Sequence, residues 1–593
     1  MKKTLLSLPL CILIFFIYSC RKDGQGRRPD PDPVKVDLSA KVNCAVSGYV
    51  MDESGEPVKF AAVFSGDKQT LTDKYGYFNF SNVSLPQAAG LIKITSNGYF
   101  TGYRTFLPQK DKETFVRIGL MTKKDIGVVD ATAGGEASTT EGGKVTLPAN
   151  GVVIASSGVA YTGQVHVAAR WVDPSSVSST QPGMPGDGRG VDNAGFVKAL
   201  RSYGVMAVEL TGDGGQLLQI APGKTAGIYI PAAASLSSSA PSSLPLWSFN
   251  DSLGLWKQEG IATRTGNGYT GVTSHFSFWN GAEAVSLVNF KARVVDASAH
   301  PLAGVPVTIT IAGSPLNAGY GRFGFTDANG DVSGAVFANA NLVLQVMTPC
   351  ATTAYAQPFT TTSTDIDLGQ VTGNMGQGMV TLTGTVTNCN NQPVTNGYIQ
   401  TYDHGFYNRI PVVNGGFSFT GIVCTNLPGN VLAIDNATYQ QGEPKIVTLT
   451  SGNNDLGVFT ACGTSTMGSI SFTLDDVTTT ITEPTDTIGA YFVTAGDSKW
   501  TQVMTLSGSP NQDQKMAFLM EGPIATGEHH VTEVYTNKLP GGRGYWPVPF
   551  VVNITEYGEI GGFISGTFSN NVLDFGNNGV HMLNCTFRVR RYN

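Results

Sequence analysis

The sequence predicts an all-β protein, built as a tandem array of β-sandwich modules. Only 14% of its 593 residues are charged and 72 are glycine, whereas about 25% of the residues of an average soluble domain are charged. Stretches such as Val165-x-Val167-x-Ala169-x-Trp171 alternate apolar and polar positions, which is the period of a half-buried strand. No stretch after residue 20 shows a helical period. The length suggests four or five domains.

The first twenty residues have the order of a secretory signal. Lys2 and Lys3 precede an apolar run over residues 5–18, and Ser19 lies directly before Cys20. The run is shorter than the roughly 18 to 20 residues that a membrane-spanning helix needs. A small residue followed by cysteine resembles the lipobox of bacterial lipoproteins, in the loose form usual in the Bacteroidota. This resemblance implies cleavage before Cys20 and lipidation of Cys20; the alternative is an ordinary signal peptide with an incidental cysteine.

Residues 21–40 are predicted to form a flexible tether. Residues 21–37 contain three prolines and alternating charges, a composition that favours an extended, unpacked chain.

A pattern of turn residues recurs three times further along the chain. An Asp or Asn precedes a proline by five residues in each copy: Asp52 and Pro57, Asp296 and Pro301, Asn388 and Pro393. A short apolar strand and a second Asp/Asn-Gly turn follow. We interpret the pattern as a hairpin, in which the Asx turn reverses the chain and the proline starts the return strand.

This repeat resembles the carboxypeptidase regulatory-like domain, a transthyretin-like β-sandwich. The matching copy spans residues 41–122, and degenerate copies span 285–372 and 373–463. The resemblance implies non-catalytic modules of secreted and surface proteins, with a fold that is also grouped with carbohydrate-binding-like sandwiches.

The region 123–284 is predicted to be a larger β-sandwich unit. Its ordered motifs, which include Trp247-Ser248-Phe249 and His275-Phe276-Ser277-x-Trp279, resemble the Ig-like extracellular β-sandwich region of cartilage intermediate layer protein. The resemblance implies a matrix or surface module without a catalytic role. Two Ser/Gly/Pro-rich insertions, residues 173–193 and 232–243, are predicted to be mobile surface loops. Residues 464–593 form a C-terminal β domain, whose ending resembles modules of unknown function in Bacteroidota lipoproteins.

Six cysteines remain once Cys11 and Cys20 are set aside: Cys44, Cys350, Cys389, Cys424, Cys462 and Cys585. Their spacing fits no zinc pattern, and an exported chain permits disulfides. Cys389, Cys424 and Cys462 share one predicted domain, so one pair among them is expected. Cys350 is the nearest candidate outside that domain, and the connectivity stays open.

The cluster Glu528-His529-His530-Val531-Thr532-Glu533 superficially suggests a metal site. Its neighbours favour a strand, which points adjacent histidines to opposite sides. We therefore expect a polar strand face and no metal. The run Asp327-x-Asn329-Gly330-Asp331 resembles the start of a calcium loop but lacks the closing glutamate, so a turn is expected there too.

The sequence offers little that could carry catalysis. It has no G-x-S-x-G elbow, and Ser274-His275 lies in a motif interpreted as sandwich core. Glu209 and Asp213 are carboxylates of the kind that pair in hydrolases, but the glycines around Asp213 predict a turn. We expect no catalytic residue, no cofactor and no enzyme activity.

Five aromatic residues in the 123–284 region allow two interpretations: Trp247, Trp256, Phe276, Phe278 and Trp279. They could form a sugar-stacking platform, or they could fill the sandwich core, and we favour the core.

The expected function is that of a non-enzymatic surface lipoprotein, structural, adhesive or ligand-displaying, at the outer membrane. The alternative is a carbohydrate-binding accessory of a polysaccharide-uptake system, and a hydrolase with an unrecognised site is less favoured. The expected partners are the membrane, through the lipid on Cys20, and a glycan or surface protein. The net charge of −6, with no basic stripe among aromatics, argues against nucleic acid.

Overall fold

A computed structural model describes residues 30–592, except 74, 176–183, 314–321, 328, 348–352, 373–378, 404–405, 424–425, 427, 439, 466, 484–487, 496–497, 506–514, 547–549, 559–561 and 577–578. Cys20, Cys350 and Cys424 lie outside the described residues.

The predicted all-β class is confirmed. Within the described residues the helical segments are two 3-10 turns, Ala234–Ser239 and Pro540–Gly542. None of the helices found in this part of the chain is long and apolar enough to cross a membrane.

The first sandwich packs a three-stranded sheet, in the order β4-β1-β7, on a four-stranded sheet, in the order β3-β2-β5-β6. Its strands are β1 (Lys41–Met51), β2 (Ala62–Ser65), β3 (Lys68–Leu71), β4 (Tyr77–Pro86), β5 (Gly90–Thr95), β6 (Gly102–Phe106) and β7 (Glu113–Gly119). Apolar side chains from the inner faces of both sheets fill the core, among them Val46, Phe78 and Ile92.

The third and fourth sandwiches repeat this arrangement. The third contains β21 (Leu287–Val295), β22 (Pro306–Ile311), β23 (Arg322–Phe325), β24 (Asp331–Phe337), β25 (Asn341–Met347), β26 (Thr353–Thr360) and β27 (Ile366–Thr372). The fourth contains β28 (Met379–Asn388), β29 (Gly397–Asp403), β30 (Phe406–Val412), β31 (Gly416–Ile422), β32 (Pro428–Asp435), β33 (Gln440–Gln441), β34 (Lys445–Thr448), β35 (Gly452–Ala461) and β36 (Thr464–Ser465). In each copy the first strand pairs in parallel with the last strand of its sheet: β1 with β7, β21 with β27 and β28 with β35.

The recurring Asx residues make the same loop in all three sandwiches. The side-chain oxygen of Asp52, Asp296 or Asn388 accepts the backbone N–H groups two and four residues later, at 2.8 to 3.0 Å. The proline forms a single bridge with the residue before the Asx residue. The hairpin interpretation is wrong, because β1 and β2, like their counterparts, belong to different sheets. The loop carries the chain from one layer of the sandwich to the other, since the ladder with the first strand ends after that bridge.

The second turn of the repeat requires glycine. Gly76 and Gly330 both have φ of 74°, and a Cβ on either would lie 2.3 or 2.4 Å from the carbonyl oxygen of Val50 or Val294. Both positions therefore combine a left-handed backbone with a close backbone approach.

The second unit is one 13-stranded sheet folded around its own core. Its strands are β8 (Asp125–Asp130), β9 (Gly135–Ser138), β10 (Lys144–Leu147), β11 (Val152–Ile154), β12 (Gln164–Val172), β13 (Arg189–Val191), β14 (Val197–Thr211), β15 (Leu217–Ile220), β16 (Ala226–Pro231), β17 (Ser243–Asn250), β18 (Leu255–Thr265), β19 (Gly268–Thr273) and β20 (Phe278–Val285).

The two insertions of this unit are packed where the structure describes them, contrary to the prediction of mobile loops. Strand β13, inside the first insertion, pairs with β14 and β18, and Arg189 is 6% exposed. The 3-10 turn in the second insertion buries Leu236. The composition was misleading because single apolar residues among serines and glycines were enough to anchor each segment.

The C-terminal domain is a ten-stranded sheet that curls back on itself. Its strands are β37 (Ser469–Leu474), β38 (Val477–Thr482), β39 (Ile488–Ala495), β40 (Ser498–Thr505), β41 (Ala517–Glu521), β42 (Gly527–Tyr535), β43 (Arg543–Tyr545), β44 (Val551–Tyr557), β45 (Phe563–Asp574) and β46 (Val580–Arg590). A bridge between Ala490 and Arg591 connects β39 to the end of β46, so the apolar inner face is enclosed.

The other four units all contact the first sandwich, so the five units do not form an extended string. Glu53 pairs with Arg170 of the second unit, and the Phe115 ring lies 5.7 Å from that of Phe325 in the third sandwich. Further contacts reach the fourth sandwich through Asp73 and the C-terminal domain through Phe60.

Part of the predicted tether is also packed. Lys35 bridges Phe196, and the side chains of Val36 and Leu38 lie against an apolar cluster of the second unit and the first sandwich. Alternating apolar residues in this segment explain why it docks on the folded domains.

Candidate functional site

A buried arginine lies where the first and fourth sandwiches meet. Arg409 on β30 projects from the fourth sandwich into the first, with its Nη2 2.6 Å from Oδ2 of Asp73. The guanidinium carbon lies 3.3 Å from the ring centroid of Tyr77 and 4.1 Å from that of Tyr398. We call these four residues the arginine junction.

Local structure presents each member of the junction. Asp73 Oδ1 accepts the N–H groups of Tyr75 and Tyr77 at 2.8 and 2.9 Å, which leaves Oδ2 to face Arg409. Arg409 and Tyr398 lie on paired strands, because β29 and β30 are antiparallel neighbours. The second Asx turn of the repeat thereby provides the carboxylate that accepts a hydrogen bond from an arginine 336 residues away in sequence.

Burial sets the charge states at the junction. Burial lowers the pKa of Arg409, but the combined effect of Tyr398, Asp73, Tyr77 and Tyr49 is larger, so the guanidinium pKa lies above its ordinary value. Burial raises the pKa of both junction tyrosines, Tyr77 and Tyr398, above the ordinary value. At neutral pH the junction therefore holds a cation against neutral rings and a carboxylate, an arrangement that binds two modules together.

A second arginine contacts an aromatic ring of the third sandwich. The guanidinium carbon of Arg117, on β7, lies 5.0 Å from the ring centroid of Phe325 and 5.6 and 5.9 Å from those of Phe115 and Tyr49. Burial lowers its pKa to about 9, which still leaves a cation at neutral pH.

A cavity of about 220 Å³ separates the first sandwich, the second unit and the third sandwich. Aromatic and charged side chains share its wall: Tyr103, Phe106, Arg117, Asp187, Phe278 and Phe325. Arg104 also lines it, and burial lowers the pKa of Arg104 while the Asp187 carboxylate opposes that shift. The cavity is therefore a gap between three modules.

The predicted histidine pair lies as expected on opposite faces of β42. His529 is 1% exposed, with its Nε2 2.9 Å from the carbonyl oxygen of Ala525, and its ring is stacked on Tyr557. His530 is exposed. Within the described residues, no group of three or more His, Cys, Asp or Glu is arranged to hold a metal ion.

The calcium-like run is an internal turn. Asp327 Oδ1 accepts the N–H groups of Asn329 and Asp331 at 2.8 and 2.9 Å. Asp331 forms an ion pair with Arg293 at 2.7 Å, so its carboxylate already has a cationic partner.

The carboxylates and the Ser-His pair considered for catalysis lie apart. Glu209 pairs with Lys123 at 2.6 Å, and Asp213 lies 3.2 Å from His166.

The motif that contains Ser274-His275 is core, as interpreted, through Phe276 and Trp279, which are 5% and 1% exposed. Ser274 itself is exposed, and the His275 side chain is 37% exposed. His275 Nε2 lies 2.7 Å from Glu259. The buried part of the motif begins one residue later, at Phe276.

The three tryptophans are core residues, as favoured from the sequence. Trp247, Trp256 and Trp279 are 0%, 0% and 1% exposed, and each indole N–H donates to a backbone carbonyl. They do not form one surface, because Trp279 belongs to the core of the second unit and the other two belong to a cluster that reaches Phe100 and Met121.

The expected disulfide joins Cys389 to Cys462, with Cα atoms 4.8 Å apart. It links the ends of β28 and β35, which pair in parallel. Cys44 and Cys585 are buried free thiols.

Sequence reasoning missed the arginine junction. The available signal was a single charged residue, Arg409, in the otherwise uncharged segment Phe406–Val412. Nothing in the sequence indicated which distant carboxylate that arginine would meet.

No family model matches the chain. Cartilage intermediate layer protein 2 of Mus musculus is 30% identical over 230 residues, and that of Homo sapiens is 26% identical over 228. Each match covers 37% of this chain and 19% of the relative, so the chain spans about a fifth of the length of these proteins. The resemblance to cartilage intermediate layer protein is a partial and distant similarity.

Solved structures of bacterial pilins also match. The shaft pilin SpaA from Lactobacillus rhamnosus GG matches with a TM-score of 0.16 and 11% identity, over 30% of this chain and 98% of that one. BcpA, the major pilin subunit of Bacillus cereus, matches with a TM-score of 0.13 and 11% identity, over 56% and 100%. At these TM-scores the likeness carries no information about function.

Proposed function

We propose that this protein is a non-enzymatic, lipid-anchored surface scaffold, whose β-modules form one interlocked body for structural or adhesive display. The observation that carries the proposal is the arginine junction. The Arg409 cation of the fourth sandwich contacts the Tyr77 ring and the Asp73 carboxylate of the first sandwich and the Tyr398 ring of its own. These contacts stabilise one relative placement of the two sandwiches. Such a contact would not persist between domains that move independently of each other.

The chemistry of the remaining charged residues supports a structural role. The candidate catalytic and metal-binding groups serve turns and ion pairs within single modules, as with Asp327 and Glu209. Catalysis needs a nucleophile or water beside a base that is itself oriented by a partner. We infer that the protein performs no hydrolysis.

The sequence motifs support a surface location. The segment ending at Cys20 resembles a lipobox of the loose form usual in the Bacteroidota. The three Asx loops resemble those of carboxypeptidase regulatory-like domains, which are modules of secreted and surface proteins. Acylation of Cys20 would anchor the body to the outer membrane.

A carbohydrate-binding accessory role is the second candidate. Two exposed rings favour it, because Tyr545 and Phe575 are 38% and 56% exposed with centroids 5.2 Å apart. A glycan array probed with the ectodomain would test it, since strong binding lost in Phe575→Ala would replace passive display with glycan capture.

Membrane fractionation tests the anchor. Cys20→Ala should release the protein from membranes or leave it unprocessed, whereas Cys11→Ala, in the same apolar run, should leave it anchored. Protease shaving of intact cells would then show whether the body lies outside the cell. A Cys20→Ala protein that is still membrane-bound and cut at its normal mass would contradict the lipid anchor.

Enzyme assays test the remaining part. The purified ectodomain should show no turnover above background on peptide, ester and polysaccharide substrates, with or without zinc or calcium. Turnover lost in His530→Ala or Glu533→Ala would overturn the non-enzymatic reading.

A further inference from the structure

Strand β38 is an open edge of the C-terminal domain. Among the described residues it pairs only with β37 and ends the strand order of its sheet. Its sequence, Val-Thr-Thr-Thr-Ile-Thr, consists of six β-branched residues without charge or proline. This composition favours an extended strand, and half of the backbone N–H and C=O groups of an edge strand point away from its sheet.

Four other edge strands of the described chain carry features that discourage pairing. Proline interrupts β26 at Pro358 and β30 at Pro411, and β3 carries Lys68. Asp367 on the edge strand β27 is held in an ion pair with Lys291. Charges and prolines of this kind protect sheet edges from pairing with another chain. Strand β38 has neither.

The hairpin that presents β38 is held firmly in place. Its turn residues Asp475 and Asp476 both have left-handed backbones, with φ of 47° and 65°. The Asp475 carboxylate is fixed by His581 Nδ1 at 2.5 Å and by the N–H of Met582 at 3.0 Å. The edge is therefore preorganised for pairing, which lowers the entropy that association must overcome.

The hydroxyl pairs that we expect between β38 and a partner strand already form between β38 and its neighbour β37. Thr473 and Thr478 face each other with hydroxyls 2.9 Å apart, and Ser471 and Thr480 with hydroxyls 3.2 Å apart. Such hydroxyl pairs are favourable across antiparallel strands.

We propose that β38 pairs antiparallel with β38 of a second copy of this chain, joining two C-terminal sheets across a two-fold axis. Thr478, Thr480 and Thr482 share the outer face of the strand, so a register centred on Thr479 or on Thr480 places threonine beside threonine. Such self-complementarity is what an isologous interface requires. In the register centred on Thr479, the side chain of Val477, 68% exposed in the single chain, lies beside Ile481 of the copy.

Sedimentation of the mature chain without its lipid, across a concentration series, tests the pairing. Thr478→Lys with Thr480→Lys places like charges opposite each other in the dimer while leaving the outer face of the single chain solvated, so the dissociation constant should rise at least about tenfold. The matched control is Asn584→Lys with Thr586→Lys on the interior strand β46. Asn584 lies in the same cross-strand row as Thr478, and Thr586 in the same row as Thr480, so the control adds the same charge on the same face of the sheet. The control should dimerise like the original protein.

Cysteine cross-linking provides a second measurement that does not depend on charge. Facing residues of paired strands have Cα atoms about 4.5 to 5.5 Å apart, within disulfide reach. Thr480→Cys, alone or mixed with Thr478→Cys, should form an intermolecular disulfide, and Thr586→Cys should not. A chain that stays monomeric at its highest soluble concentration, equal effects of the edge and control lysines, or cross-links only to other proteins would each overturn self-pairing.

Discussion

Replacing Arg409 with alanine should loosen the contact between the first and fourth sandwiches. The side chain is 19% exposed and its partner Asp73 is 33% exposed. Removing one partner of a buried ion pair destabilises a protein by about 3 to 5 kcal/mol, and partial solvation of Asp73 reduces that penalty. The two ring contacts contribute about 1 to 2 kcal/mol each when desolvated. Because these contributions overlap, we expect a total loss of about 3 kcal/mol.

Urea unfolding combined with hydrogen exchange measures this loss where it occurs. Exchange should accelerate in β4 and β30, the two strands that carry the contact, and the urea midpoint of the transition that exposes them should fall. Arg409→Lys keeps the charge but not the planar stack, so it should lose only about 1 kcal/mol.

Two further variants make the result specific to the junction. Arg293→Ala removes an ion pair of similar length, 2.7 Å, but with an arginine that is 48% exposed, so it should lose clearly less stability than Arg409→Ala. A double-mutant cycle of Arg409→Ala with Asp73→Asn should give a coupling energy of about 1 to 2 kcal/mol. A coupling energy near zero, or equal losses for Arg409→Ala and Arg293→Ala, would refute the inference that the junction holds the modules together.

Three other changes test the separate parts of the structure. Trp279→Ala should cost the second unit about 3 to 5 kcal/mol, since a fully buried indole is lost, and an unchanged unfolding midpoint for this variant would contradict the core assignment. Cys389→Ser should destabilise the fourth sandwich by about 4 kcal/mol, because the disulfide to Cys462 closes a separation of 73 residues; unfolding with and without reductant checks this, and the variant should not respond to reductant. The Asp475 carboxylate raises the pKa of His581 above its ordinary 6.5, so the stabilisation from His581 should be complete below about pH 6.5 and fade as the pH rises through the folded-state pKa. His581→Asn should remove this part of the pH dependence of the urea midpoint, and an unchanged pH profile would show that the contact does not stabilise the hairpin.

Local chemistry in the sequence was sufficient for the fold class and for the position of the core tryptophans. Period-2 alternation and glycine-rich turns describe interactions within a few residues, so they predict strands reliably. The opposite orientation of His529 and His530 followed from the same alternation. The three Asx loops were also visible as a spacing of five residues, although the sequence could not show that the following strand would join a different sheet. Which sheet that strand joins depends on which apolar sheet face is still unpaired when the sandwich forms.

The tertiary structure alone decided how the modules sit together and which charged residues matter. Arg409 and Asp73 are 336 residues apart, and no local pattern links an arginine in one strand to a turn in another module. The same limit applies to the insertions and to residues 34–38, where sparse apolar side chains pack because a neighbouring surface is available. The sequence by itself determined strands and turns, and it predicts Cys20 as the anchor residue, because each of these depends on adjacent residues. The relative placement of the modules depends on long-range burial and charge pairing, which only the folded chain creates.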